Sequence, residues 1–357
     1  LTLPPYAPGH ARVMGDMVRD GKPWPMCPRH FLKRMTARAA EEGIEVAAAF
    51  ENEFYLLDSS GKPADDTAFA STLSMDLNRP VIDEIAESLI AQGIPVEQYY
   101  PESGPGQQEI SILYSDALTA ADRQITFRET VRGVAMRHGL RASFVPKIFA
   151  DKAGSGCHLH LSLWRNGQNI LSDESGGLSP TVRSFMAGIL DHLPALMALT
   201  TPSTNSYRRI RPHCWSGAFR CWGVDNREAA LRVPSSPEPG GPTHFELKTS
   251  DASANPYIAL GGVVAAGLDG IRRGLDLPEE VTVDPGTLPE LARTKQGIDP
   301  LPTLLSDAIG HLEKDEALLD GLGSDLARAY LAVRKAEWQA MKDMPVEDEV
   351  KLVLDRY

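Results

Sequence analysis

The chain has 357 residues and carries a formal net charge of -12, with an isoelectric point near 5.3. This acidity argues against nucleic acid or an anionic membrane as principal partner, because both require clustered basic surface. Apolar runs are interrupted by charge or glycine before reaching the roughly 20 residues of a membrane span, so no membrane role and a cytoplasmic location are expected. The four cysteines, Cys27, Cys157, Cys214 and Cys221, form no CxxC pair and read as free thiols.

The opening LTLPPYAPGHARVMGDM is rich in proline and glycine and lacks periodicity, so residues 1–20 read as a lead-in segment. Phe31, Leu32, Met35 and Ala39 recur at helical spacing from about His30 to Glu42. The next segment, AAAFENEFYLLD, reads as a strand in which Glu51 and Glu53 share one face while Phe50 and Phe54 share the other. A solvated strand edge would tolerate such a pair. Two carboxylates only roughly 7 Å apart also raise each other's proton affinity and suit a cation.

A helix is predicted from Val81 to Gln92, with Ile82, Ile85, Leu89 and Ile90 on one face, Pro80 at its start and Gly93 at its end. The turn-forming loop PESGPGQQE brings Glu102 and Glu109 toward one point. It precedes an apolar run, Ile110 to Tyr114, and a long helix from about Thr119 to His138. In GCHLHLSLW, His158, His160 and Ser162 oppose three leucines; in HFELK, His244, Glu246 and Lys248 oppose Phe245 and Leu247. After Ala254 the pattern is mostly helical. Strands and helices mix without a regular βαβ period, which predicts an α+β fold with a mainly antiparallel sheet.

Each strand histidine or glutamate alone is ordinary. Together they give a sheet whose polar face gathers five carboxylates and a histidine, a set suited to Mg²⁺ or Mn²⁺. NSYRRIRP and DNREAALRVP add arginines whose forks match phosphate and carboxylate. Acids, metal and arginines together suggest phosphoryl transfer to or from a carboxylate-bearing substrate.

The segments APGHARVMGD, FENEFYLLD, ESGPGQQEI, KIFADKAGSGCHLHLS, NSYRRIRP, DNREAALRVP and FELKTSDASANPYIALGGVVAAGLDGI resemble, in order and spacing, the catalytic domain of the glutamine synthetase family, and within it the glutamate-amine (gamma-glutamyl-amine) ligases. The resemblance implies a curved, partly closed antiparallel sheet with flanking helices, of the kind shared with guanido kinases, over residues 21–357. It also implies that the first 20 residues lead in from an N-terminal beta-grasp-like domain not contained in this sequence. Glu53, Glu102 and Glu109 match ligands of the metal nearer glutamate, and Glu51, His158 and Glu246 those of the metal bridging the ATP phosphates. Ser162 matches a nucleotide-side position, Arg227 and Arg232 match arginines on the phosphates, and Arg209 matches the arginine on the amino-acid carboxylate, beside Gly154. Arg227 and Glu246 are thereby implied to act in the reaction itself. The implied chemistry is attack of the glutamate γ-carboxylate on ATP to give an acyl phosphate, which an amine then attacks. The implied assembly is a homo-oligomeric double ring.

The chain departs from the ammonia-using pattern. Trp215, flanked by His213 and Cys214, stands where those members carry a flap glutamate. His244 and Lys248 replace arginines, Lys248 at a substrate-binding position, and Ala153 replaces a common asparagine. These departures favour an organic amine over ammonia as second substrate. An ordinary glutamine synthetase with its base elsewhere, and a non-catalytic structural relative, are the competing readings.

Overall fold

A computed structural model describes residues 1–236 and 240–357. Helix α1 (Pro28–Glu41) buries Phe31, Leu32, Met35 and Ala39, the face its spacing predicts. It leads into the long strand β1 (Glu45–Leu57). Helix α2 spans Thr72–Ala91, longer than expected. Pro80 lies inside it rather than at its start, on the exposed side, and so does Asp76, whose carbonyl loses its helical donor where water is at hand. Ile90, expected inward, is 58% exposed, and Val81 takes its place in the core.

Strands β2 (Val96–Pro101) and β3 (Gln107–Ile112) follow, then α3 (Ala117–Arg137), whose first turn is capped by Asp116 accepting from the Thr119 amide. Next come β4 (Cys157–Arg165), α4 (Pro180–Thr200), the single turn α5 (Ser206–Arg209), β5 (Phe219–Val224), β6 (Ala229–Val233) and β7 (Phe245–Leu247). Helix α6 (Pro256–Arg273) and the two-residue strand β8 (Asp299–Pro300) precede the C-terminal helices α7 (Ser324–Met341) and α8 (Val346–Val353). The large sheet runs β8-β5-β6-β7-β4-β1-β3-β2. Its neighbours pair antiparallel except β5 with β6. This mostly antiparallel sheet with flanking helices is the architecture expected, except that the sheet is open rather than partly closed.

Helix α4 is long and apolar enough to meet a compositional test for a membrane span, contrary to the expectation that no segment would. It is a core helix: 78% of its apolar window is buried, and it packs on α6 with unusual closeness. A side chain at Gly188 would sit 2.3 Å from the Ala266 carbonyl oxygen, and Gly270 faces it with equally little room. The face of β1 opposite its glutamates enters this core through Phe50 and Phe54, with the buried amide pair Asn52–Gln124 satisfying one another. All four cysteines are free, and only Cys214 is exposed.

A second junction is ionic. His192 of α4 is enclosed, its Nδ1 2.7 Å from Asp315 and its Nε2 2.9 Å from Asp269 of α6, which also pairs with Arg273. Burial opposes protonation of His192, but the two carboxylates prevail and raise its pKa above the ordinary 6.5. A raised histidine contributes stability that is complete below its unfolded pKa and is lost as pH rises through the folded one. Unfolding in urea should therefore become easier from about pH 6.5 upward, and His192→Gln should flatten that dependence and cost about 1–3 kcal/mol at pH 6. A variant retaining the wild-type slope would refute the assignment.

Candidate active site

Strand register brings the polar positions together. Glu51 faces His158 across β1 and β4, and Glu53 faces Glu109 across β1 and β3. Glu246 pairs with His160 on one side and Arg232 on the other, and Tyr100 pairs with Glu109. Because side chains alternate, a slip of one residue in any pair would send its carboxylate to the opposite face. The floor so formed belongs to a cavity of ≈ 1240 Å³.

Two ligand clusters emerge among the described residues: Glu51, His158 and Glu246, and Glu51, Glu53 and Glu109, each with donor atoms within 4.8 Å of one another. The first is the set implied for the phosphate-side metal. The second shares Glu51 and lacks Glu102, whose carboxylate turns to the Ser103 amide at 2.7 Å and the Tyr100 hydroxyl at 2.7 Å. The same hydroxyl oxygen lies 2.9 Å from Glu109, so one hydroxyl, with a single proton to give, bridges Glu102 and the cluster.

The electrostatics split the floor in two. Around Glu246, buried to 1%, lie His158 Nδ1 at 3.0 Å, Lys248 Nζ at 3.1 Å and Arg232 at 3.2 Å. Burial opposes its ionisation, but Lys248 and His158 hold its pKa well below the usual range. Glu51, between His158 at 3.1 Å and His160 at 2.6 Å, is likewise held low against burial. Glu109 has no cationic neighbour of this kind. Burial, then the charges of Glu51, Glu53 and Glu102, push it up to about 10, and Glu53 is also raised, by burial first.

The floor fits divalent cations. Around Glu109 the acids of the Glu51, Glu53 and Glu109 cluster are crowded beyond what the protein itself neutralises, and in the adjoining Glu51, His158 and Glu246 cluster the buried His158 Nε2 has no hydrogen-bond partner. Carboxylates with a single imidazole between the two clusters suit hard or borderline ions.

At the cavity's other flank, Arg209 is 6% exposed and donates to the carbonyls of Ser250 at 2.8 Å and Lys248 at 3.3 Å. Its Nε is left without a partner. Gly154 makes room for it: a Cβ there would lie 2.5 Å from Arg209 Cγ and 2.7 Å from the Pro146 carbonyl oxygen. Behind, Arg208 pairs with the fully buried Glu349 of α8 at 2.5 Å. Ser162 lines the cavity and accepts from the Trp164 indole at 2.9 Å. His244, also lining it, has its pKa lowered to about 4 by burial and then by His160.

Trp215 lines the same cavity, 47% exposed, and Arg227 lies over its ring at 5.1 Å from the centroid. Arg227, in the turn between β5 and β6, thus covers Trp215 of the flap loop 211–217, while Arg232 is tied to Glu246. Sequence reasoning did not single out Tyr100, nor Gln107, which touches Glu53 at 3.4 Å, the Gly154 carbonyl at 3.0 Å and Ser155 Oγ at 3.1 Å. The alternation Gln107, Glu109, Ser111 on β3 carries the signal for Gln107.

The family model for the glutamine synthetase catalytic domain matches residues 25–353, and the chain belongs to this family. It is 40% identical over 94% of its length to the gamma-glutamylpolyamine synthetase GlnA3 of Streptomyces coelicolor, covering 75% of that protein. It is 35% identical, over its whole length and 75% of the relative, to type-1 glutamine synthetase 1 of Dictyostelium discoideum. A solved structure described as a GmaS/ADP complex aligns with a TM-score of 0.84 at 35% identity, covering 95% of this chain and 80% of that one.

The two halves of the floor should respond oppositely to neutralisation. Glu109→Gln replaces a carboxyl whose ionisation burial and neighbouring acids oppose, while keeping an acceptor for Tyr100, so the metal-free protein should be as stable as wild type or more so, while Mn²⁺ affinity falls tenfold or more, as expected for loss of about 1.4 kcal/mol of ligation. Glu246→Gln leaves Lys248 and Arg232 under-compensated and should cost about 2 kcal/mol of stability as well as metal affinity. Calorimetric titration with Mn²⁺ and urea unfolding distinguish the two, and equal metal affinity in wild type and both variants would refute the site.

Proposed function

We propose that this chain is an ATP-dependent ligase that joins the γ-carboxylate of glutamate, or a close analogue, to an organic amine through a γ-glutamyl phosphate. The observation that carries the choice of amine is Trp215 in the cavity wall, where the family resemblance puts the ammonia-binding glutamate. The Streptomyces relative, a γ-glutamylpolyamine synthetase by name, supports an organic amine, and the ADP complex of the aligned structure supports a nucleotide.

In this reading Glu53, Glu109 and Glu102 hold one Mg²⁺ or Mn²⁺, with Tyr100 fixing the last two. Glu51, His158 and Glu246 hold a second. Bound there, the metals would supply charge neutralisation for the transferring phosphoryl group. Arg209 grips the α-carboxylate of the amino acid, with Gly154 giving it room and Lys248 beside it. Ser162 lies toward the nucleotide, Arg232 and Arg227 flank the phosphates, and Arg227 with Glu246 takes part in the transfer itself. ATP and glutamate as substrates support a cytoplasmic location.

An amine must be unprotonated to attack an acyl phosphate. Trp215 offers neither negative charge nor basicity. It offers an apolar face on which an alkyl or aryl group can pack and behind which water is excluded. With each buried methylene contributing about 0.8 kcal/mol, a two-carbon substituent gives a preference over ammonia of about tenfold or more. Trp215→Glu should shift kcat/KM toward ammonia, and Trp215→Ala should weaken alkylamine use while leaving Mn²⁺ binding intact. Phosphate release measured against an amine panel checks this. Ammonia turned over by wild type as efficiently as every amine tested would establish an ordinary glutamine synthetase instead.

The same reading carries a double ring of like subunits, the closed symmetry that satisfies every interface. Light scattering on the full-length protein should give a mass many times that of one chain, and a monomeric mass would contradict the ring.

A further inference from the structure

The loop between α5 and β5 holds two backbone oddities. His213 and Trp215 both adopt left-handed backbone conformations, at φ 60° and 50°, which non-glycine residues seldom do without support. Two amides are thereby turned to one side, and a single carboxylate receives both: Glu228 Oε2 accepts from the His213 N–H at 3.1 Å and Oε1 from the Trp215 N–H at 2.9 Å. Glu228 is 6% exposed, so this acid is committed to the loop rather than to solvent.

The carboxylate is itself anchored. Its own amide donates to Asn226 at 3.1 Å, and Asn226 donates to the carbonyls of Val281 and Val283. Neighbouring Arg227 lies over the Trp215 ring, so two adjacent residues hold Trp215, one by its backbone and one by its face. Ser216 closes the loop by bonding both the amide and the carbonyl of Arg211, each at 2.9 Å. The His213 ring is fixed to Asp284 at 2.7 Å.

We propose that Glu228 is a positioning residue for amine choice: its buried carboxylate holds the loop 211–217 in the one conformation that presents the Trp215 indole to the cavity. The proposal rests on the amine-ligase reading above and adds to it the group that keeps the indole in place. Glu228 touches no reacting atom. Its function is to convert a strained turn into a fixed wall, so that the space beside the acyl phosphate has the width of a substituted amine and not of bulk water.

The experiment uses the full chain with Mn²⁺ present and compares Glu228→Gln, which is nearly isosteric, Glu228→Asp and Glu228→Ala. Hydrogen exchange across 211–217, read by mass spectrometry, should rise in Glu228→Gln and further in Glu228→Ala. Loss of one charge-assisted bond should raise the KM for the preferred alkylamine about tenfold, lower the alkylamine-to-ammonia ratio of kcat/KM by a similar factor, and leave the KM for ATP within about twofold. Glu228→Asp should recover part of both effects. Unchanged exchange in Glu228→Gln and Glu228→Ala overturns the clamp. Raised exchange with an unchanged amine-to-ammonia ratio overturns its role in specificity. A wild-type enzyme without amine preference overturns the ligase reading and with it the role in amine choice, while the exchange measurement still decides the clamp independently. Mn²⁺ binding by Glu228→Gln serves as the folding control.

Discussion

The constraint on which this structure turns is charge crowding on one face of a sheet. Glu51, Glu53, Glu109 and Glu246 are brought side by side by strand register, and a folded chain tolerates this only if each charge is answered. The protein answers unequally. Glu246 is surrounded by Lys248, Arg232 and His158, and Glu51 lies between two imidazoles. Glu53 receives the Gly156 amide at 2.8 Å, and Glu109 receives little beyond the Tyr100 hydroxyl. The remaining deficit lies where a cation fits. The hydrophobic core behind the sheet, from Phe50 and Phe54 to the close α4–α6 contact, holds the register that imposes this arrangement.

Much of that face was legible in the sequence because it obeys the shortest-range rule there is, alternation. Glu51 with Glu53, His158 with His160, and Glu246 with Lys248 each declare a shared side at a spacing of two. Which strands lie adjacent is not written at that range. The sharing of Glu51 between two clusters, and the diversion of Glu102 toward Tyr100, became visible only through cross-strand pairing. Helix α2 begins earlier than its pattern predicts because Pro80 marks a helix start only where its missing donor matters, and on an exposed side water can serve the Asp76 carbonyl instead. Glu228 was hidden most completely. It sits in a motif that drew attention for its arginines, and its partners are backbone amides, which no side-chain pattern reveals.

The flap and the floor differ in how they are built. The floor is made of side chains on rigid strands, with positions set by pleat and register. The flap is made of backbone held by side chains: Glu228, Ser216 and Asp284 act on amides, a carbonyl and a ring around Trp215. A surface of the first kind changes by substitution at the residue itself. One of the second kind also changes by substitution at a distance, so substrate range can drift among relatives whose floor is identical.

The pairing of Arg208 with Glu349 spans 141 residues of sequence, and this bears on the order in which the pocket can be completed. Every acid and histidine of the floor has been synthesised once the chain reaches Glu246. The turn that carries Arg208 and Arg209 still lacks its buried counter-charge until α8 emerges about a hundred residues later. Contacts closing such long loops form late. During synthesis from the N-terminus, therefore, the acid-lined sheet can be finished while the Arg209 flank of the cavity stays unfinished, and docking of α8 completes it.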